Sequence, residues 1–468
     1  MSTHSDSASL CKTLPRKVYF IGAGGIGMSA LIRYFRSKGI SVAGYDRVPS
    51  ALTEQLVQEG VDLHFTDDLR LIPPDFMSPD ATWVIYTPAV PESHTELTYF
   101  RRQGYEVLKR SRVLGLITRS GRGLCIAGTH GKTTVSSMTA HLLHQSSSGC
   151  NAFLGGILKN TGSNLMLSEH SDLTVIEADE YDRSFHQLSP WMAVITYVDP
   201  DHLDIYGSIE AYQESFEIFT SLIRPGGVLI LKSGLNLMPR LQAGVKLYTY
   251  SATDEKADFH AEHIRIDNGE IRFDWVMPSA RVENIQLGVP VKINVENAVA
   301  AIALAWLNGI SDDEIRGAMK SYAGVERRFD ICLKKENIVM IDDYAHHPEE
   351  LKNSILSVKE LYAGRKVTGI FQPHLYTRTR DFAVGFAESL SLLDELILLD
   401  IYPAREEPIP GVTSRLIFDR VTIPAKTLCT KAQLPKCIAA GTYEVVLTLG
   451  AGDIDRLVEP VKQILERK

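Results

Sequence analysis

Leu124-Cys-Ile-Ala-Gly-Thr-His-Gly-Lys-Thr-Thr134 joins an apolar run to a glycine turn, and a mostly non-polar-faced stretch to His144 follows it. The apolar run predicts a buried strand and the segment Thr133 to His144 a helix. In a strand-turn-helix the amides of the turn and of the first helical turn converge where a polyphosphate would sit. Lys132 would then reach the β- and γ-phosphates of ATP, and the Thr133 hydroxyl would meet Mg²⁺. Gly128, Thr129, His130, Gly131, Lys132, Thr133 and Thr134 are the candidate nucleotide-binding residues. The spacing departs from the strict phosphate-loop pattern, because Ile126 stands where that pattern has its first glycine. The competing reading is a glycine-rich turn with an exposed lysine.

A magnesium ion takes hard oxygen ligands. Val175-Ile-Glu-Ala-Asp-Glu180 ends the next apolar run, with Glu177 expected to point toward the phosphate loop, and Val198-Asp-Pro-Asp-His-Leu-Asp204 ends another. Thr133, Glu177 and His202 are the metal candidates, with Asp201 and Asp204 nearby. Singly, each acidic turn is equally well a helix cap.

Upstream, Val18 to Ile21, Ile40 to Tyr45 and Trp83 to Tyr86 alternate with the amphipathic stretches Met28 to Arg36 and Thr53 to Glu59, a βαβ arrangement. Gly22-Ala-Gly-Gly-Ile-Gly27 follows its first strand and Asp46 ends the second, which is the dinucleotide fingerprint. Taken alone it predicts a nicotinamide enzyme. A tight turn for packing is the plainer alternative, and a nucleotide-sugar diphosphate reconciles these glycines with a separate ATP loop. Downstream, β-branched and acidic residues from Ala257 to Val295 predict antiparallel strands before a helix, Glu296 to Leu307. A third α/β cycle runs from Glu326 through Ile338 to Asp342, Pro348 to Tyr362, Lys366 to Phe371, Asp381 to Leu390, Glu395 to Asp400 and Glu444 to Leu449. Three α/β domains are expected: 1–120, 121–325 and 326–468.

The 468 residues, 44% hydrophobic, suffice for several cores. A net charge of −8 argues against nucleic acid as a general partner. Six cysteines without a CxxC pair read as reduced thiols, and no apolar run from residue 18 onward is long enough to be a leader or a span, so a cytoplasmic protein without membrane attachment is expected.

Gly24-Gly-Ile-Gly-Met-Ser29, Gly128-Thr-His-Gly-Lys-Thr-Thr134, Glu177-Ala-Asp-Glu180, Asp201-His202, Gly324-Val-Glu-Arg-Arg-Phe329, Asp342-Asp-Tyr-Ala-His-His-Pro348, Phe371-Gln-Pro-His374 and Tyr376-Thr-Arg-Thr-Arg380 occur in this order across nearly the whole chain. Together they resemble the Mur ligase family. The resemblance implies a Rossmann-like N-terminal domain for a UDP-sugar, a central ATPase domain with a β appendage, and a Rossmann-like C-terminal domain that receives an amino acid. It implies ATP and Mg²⁺, with UDP-N-acetylmuramate and L-alanine as substrates joined through an acyl phosphate, in a monomer or homodimer. It assigns Gly24, Gly25, Ile26, Gly27, Met28 and Ser29 to the diphosphate, Asp46 to the uridine side and Asn294 to adenine. It adds Arg327, Asp343 and the segment from Tyr344 through His346 and His347 to the active site, with Arg378 and Arg380 as carboxylate or phosphate binders. Lys132, His202, Arg327 and His347 are the catalytic candidates. The chain departs from the pattern at Ile293, where the family has a histidine before the adenine-side asparagine. It also lacks the bridging lysine of some relatives, with Phe216 near that place. Two histidines before Pro348 point in different directions, so a capping or packing role suits one of them.

A carboxylate becomes electrophilic only with a better leaving group, which γ-phosphoryl transfer supplies. An amine attacks only when neutral, so a base is needed, and His202, His346 and His347 are candidates. Three other activities fit parts of the sequence: a ligase attaching a whole peptide to the same sugar, an NAD(P)-dependent oxidoreductase, and a nucleotide switch without ligase chemistry.

Overall fold

The computed structural model describes residues 15–200, 203–267, 270–404 and 406–468. It contains three sheets. The first comprises β1 (Lys17–Ile21), β2 (Ser41–Tyr45), β3 (Asp62–His64), β4 (Thr82–Tyr86) and β5 (Glu106–Lys109), in the order β3-β2-β1-β4-β5. All its neighbouring strands pair in parallel, and β1 is buried along Val18 to Ile21 because helices cover both faces of such a sheet.

The second sheet has ten strands: β6 (Arg122–Ala127), β7 (Asn151–Leu158), β8 (Ser163–Met166), β9 (Leu173–Glu177), β10 (Met192–Ile195), β11 (Val228–Lys232), β12 (Lys246–Ser251), β13 (Phe259–Asp267), β14 (Glu270–Met277) and β15 (Ala280–Gln286). Their order is β15-β14-β13-β12-β11-β10-β6-β9-β7-β8. The strand β6 lies between β9 and β10, so the turn leaving it is flanked by the carboxyl ends of both neighbours. The β7–β8 hairpin has no counterpart in the sequence reading, since the Gly155-Gly156 pair interrupts its apolar pattern.

The third sheet holds β16 (Asp330–Lys334), β17 (Val339–Asp343), β18 (Val367–Phe371), β19 (Glu395–Leu398), β20 (Lys426–Leu428) and β21 (Val445–Leu449), ordered β16-β17-β21-β18-β19-β20. It is parallel except for β16, and β18 and β21 are buried throughout. The expected helix from Asp381 is two helices, Tyr376–Asp381 and Ala383–Leu390, meeting at Phe382.

The chain forms an α/β protein with two compact units. Of the described residues, one contains those within 15–263, 273–285 and 296–322, and the other those within 264–272, 286–295 and 323–468, so parts of the expected 121–325 segment fall in each. Within the first unit, Asn164 of β8 is fully buried and donates to the Ser29 hydroxyl at 3.0 Å and to the Ile26 carbonyl, while accepting from Arg33 at 2.9 Å. These bonds fix the glycine-rich turn of the first sheet against the second. The five described cysteines are all free thiols.

Candidate active site

The turn after β6 closes because two glycines take conformations that side chains resist. Gly128 has φ +137, and a Cβ there would lie 2.1 Å from Thr196 Oγ1; Gly131 has φ +81 and caps the helix Lys132–His144. The Thr129 amide donates to the Tyr197 carbonyl at 2.8 Å and its hydroxyl to the Asp199 carbonyl at 2.8 Å. Thr196 Oγ1 donates to the His130 carbonyl, and the His130 ring sits 3.5 Å from the Asp199 carboxylate. The loop is therefore fastened to the end of β10. The first intrahelical bond is donated by Val135 to the Gly131 carbonyl, so the amides of residues 132–134 have no partner within the helix.

Lys132 is nearly buried, with its ammonium 2.8 Å from Glu180 Oε2, and it also donates to the Gly128 carbonyl. Burial favours the neutral amine, but the Glu180 and Glu177 carboxylates outweigh it and raise the Lys132 pKa. Glu180 is thus the lysine's partner, a role the sequence did not single out. Glu177 ends β9 beside Gly155, where any Cβ would come within 2.2 Å of its Oε2. That oxygen is buried without a hydrogen-bond partner, and the Thr133 side chain is also buried. A hard oxygen set of this kind fits a magnesium ion. Among the described residues no group of three or more His, Cys, Asp and Glu side chains is arranged to hold a metal ion. Asp201 and His202 lie outside the described residues, as does the Asp204 side chain. Phe216, near the place of the absent lysine, is core, with ring centroids 5.2 Å from both Phe185 and Tyr212.

Asn297 escaped the sequence reading: a Cβ on Gly131 would meet its Oδ1 at 2.8 Å, so this buried amide covers the phosphate loop. The available signal was its position three residues after Asn294 on the helix Ile293–Leu307, nearly one turn.

In the first sheet, Gly22 has φ +88, and the amides of Gly22 and Ala23 both donate to the Tyr45 carbonyl. Asp46 Oδ2 accepts from the Gly24 amide at 2.6 Å, which places the carboxylate at the glycine turn. The helix Ile26–Ser37 starts without a capping side chain and without an acid in its first turn. Met28 and Ser29 are buried and their amides donate to the Gly25 carbonyl at 2.9 and 3.0 Å, so these two of the six diphosphate candidates close the turn.

In the second unit the Asn294 amide donates to the Val289 carbonyl at 3.3 Å. Arg327 has φ +62, donates to the Gly450 carbonyl at 2.6 Å and to Asp342 at 3.4 Å, and lies over the Tyr344 ring. Burial pushes the Asp343 carboxyl up to about 6, although the Ser354 hydroxyl, donating at 2.7 Å, and Arg328 pull it down. His347 is the N-cap of the helix Pro348–Leu361 with its ring 4.8 Å from Phe382, the capping alternative named above, while Glu350 accepts from the amides of His346 and His347. His346 lies 6.1 Å from His374, a residue quoted in the motif but given no role. Burial, His346 and Arg378 bring the His374 pKa down to about 4, and its buried Nδ1 has no hydrogen-bond partner. Arg378 accompanies these imidazoles. Arg380 is exposed and pairs with Asp381 at 2.7 Å.

Three family models match the chain: Mur ligase family, catalytic domain over residues 17–122; Mur ligase middle domain over 126–305; and Mur ligase, glutamate ligase domain over 327–452. The UDP-N-acetylmuramate–L-alanine ligase of Parabacteroides distasonis is 70% identical over 448 residues, 96% of this chain and 97% of that protein. The enzyme of the same name from Phocaeicola vulgatus is 61% identical over 454 residues, 97% of this chain and 99% of that protein. The crystal structure of the UDP-N-acetylmuramate–alanine ligase from Thermotoga maritima superposes with a TM-score of 0.79 at 28% identity, covering 96% of this chain and 98% of that one.

Proposed function

This chain belongs to the Mur ligase family, and we propose that it joins L-alanine to the lactyl carboxylate of UDP-N-acetylmuramate while cleaving ATP to ADP and phosphate, a step of peptidoglycan precursor synthesis. The observation that carries this reading is the pairing, in one compact unit, of a lysine-bearing phosphate loop after β6 with a second glycine cradle after β1, in a chain whose relatives of that name match nearly end to end.

ATP would lie with its phosphates on the amides of residues 128–134, with Lys132 turning from Glu180 to the γ-phosphate and Asn294 on the adenine side. Thr133 and Glu177 would hold magnesium, which when bound neutralises polyphosphate charge. The UDP diphosphate would occupy Gly24 to Ser29, with Asp46 near the uridine. A lactyl oxygen takes the γ-phosphoryl group, the bond to the ADP oxygen breaks, and Lys132 stabilises the charge of the transferring group. The alanine amine then attacks the acyl carbon, phosphate leaves, and the amine's proton passes to a base. His346 is one candidate for that base, and Arg378 would face the amino acid's carboxylate. Among the described residues no helix is long and apolar enough to cross a membrane, and cytoplasmic ATP suits the reaction.

Purified protein is expected to release phosphate from ATP only when UDP-N-acetylmuramate and L-alanine are both present. Release with a tripeptide and not with L-alanine would replace this reading with the peptide-attaching ligase. Tight NADH binding indifferent to the UDP-sugar would favour an oxidoreductase instead.

The Asp343 carboxyl adds a pH dependence. It is ionised above about pH 6, so kcat/KM for the nucleotide sugar should fall about tenfold per unit below that point, and Asp343→Asn should lose this limb. A limb that persists in Asp343→Asn assigns it to another group. Because folding raises this pKa, the same carboxyl favours the folded state most at low pH, and that contribution fades as pH rises from about 4 through 6.

A further inference from the structure

We infer that Arg110 binds the diphosphate of the nucleotide sugar and ties that cradle to the acidic segment beside the phosphate loop, an inference that rests on the reading above. Arg110 opens the helix Arg110–Ser120, which carries no acid in its first turn and no side-chain cap at Lys109. Its guanidinium lies against the start of another helix: a Cβ on Gly27 would come within 2.1 Å of Nη1 and 3.0 Å of Cζ. Gly27 is the second residue of the helix Ile26–Ser37, whose first turn is likewise without an acid or a capping side chain.

A helix N-terminus and a guanidinium are thus brought together, and each carries positive charge. A cation at a helix N-terminus is disfavoured unless an anion sits between them. The counter-charges in place are Asp179, 3.2 Å from Arg110 Nη2, and Asp46, whose Oδ2 accepts the Gly24 amide. Asp179 uses one nitrogen of a five-donor fork, and it is well exposed, with 39% of its side chain accessible. A diphosphate at the helix start formed by Ile26 and Gly27 would meet the remaining face of the fork, the geometry in which arginine holds phosphate through two parallel bonds. A methyl at position 27 would displace the guanidinium, the movable end of the Arg110 side chain, rather than meet backbone.

The placement also links the two nucleotide sites. Asp179 lies between Glu177, the magnesium candidate, and Glu180, the partner of Lys132. Through Arg110, the substrate diphosphate would be registered against the segment that positions the transferring phosphate.

Arg110→Met, Arg110→Lys and Asp179→Asn would be titrated calorimetrically with UDP-N-acetylmuramate and, separately, a nonhydrolysable ATP analogue, and KM and kcat measured beside them. Arg110→Met is expected to weaken UDP-N-acetylmuramate binding about 30-fold, within the range for charge-assisted hydrogen bonds. KM for the sugar should rise in parallel, kcat at saturation should change little, and affinity for the ATP analogue should hold. Affinity for the sugar should also depend less steeply on salt than in the unaltered protein, and Arg110→Lys should recover part of the loss. Sugar binding unchanged in Arg110→Met would overturn the inference, as would an equal loss in Asp179→Asn, which removes the ion pair and keeps the guanidinium. If the unaltered protein does not bind UDP-N-acetylmuramate, the functional reading fails before the variants are compared.

Discussion

Lys132→Met is expected to lower turnover about a thousandfold while UDP-N-acetylmuramate still binds with nearly unaltered affinity. The loss follows from removing a preorganised cation aimed at the transferring phosphoryl group, where a single such donor is worth about a hundred- to a thousandfold. The sugar cradle lies after β1, on a different sheet, and touches none of the lysine's partners Gly128, Thr129 and Glu180. The substitution also strands the Glu180 carboxylate, 3% of whose side chain is exposed, and breaking a buried pair from one side costs about 3 kcal/mol. Thermal denaturation should therefore show a lowered midpoint for Lys132→Met. Adding Glu180→Gln should restore much of that stability without restoring turnover. Should the double variant regain activity along with stability, the lysine would be a structural counter-ion and the catalytic assignment would be lost.

Gly128→Ala should be nearly as damaging to ATP binding. The residue has φ +137, a region closed to L side chains, and its new methyl would stand 2.1 Å from Thr196 Oγ1 and 2.8 Å from the Tyr197 amide. Those neighbours end β10, so neither can yield without moving the strand. Backbone strain together with overpacking of this kind costs about 3 kcal/mol. If that cost falls on the closed loop, affinity for a nonhydrolysable ATP analogue should drop about a hundredfold. Calorimetry decides between outcomes: an unchanged affinity would mean that ATP does not use this turn.

Chain membership in an α/β class was legible because parallel strands buried on both faces are written as unbroken apolar runs. Val18 to Ile21, Ile40 to Tyr45, Trp83 to Tyr86, Leu124 to Ala127 and Lys366 to Phe371 fall within a residue or two of the observed strands. Strands with weaker patterns were not legible: β7 is split by paired glycines, and the short edge strand β20 has one apolar residue among three. Helix boundaries were clearest where caps and proline mark them, as at Pro348.

The sequence by itself determined the two glycine turns, the lysine and threonine that follow one of them, and the acids at the strand ends, since each depends on local backbone chemistry and residue type. Tertiary structure decided which partners these groups have. Glu180 pairs with Lys132, Asn297 covers Gly131, His374 joins His346, and Arg110 lies against Gly27. Each of these contacts joins residues 28 or more positions apart, and the order of strands in a sheet, not spacing along the chain, brings such residues within reach.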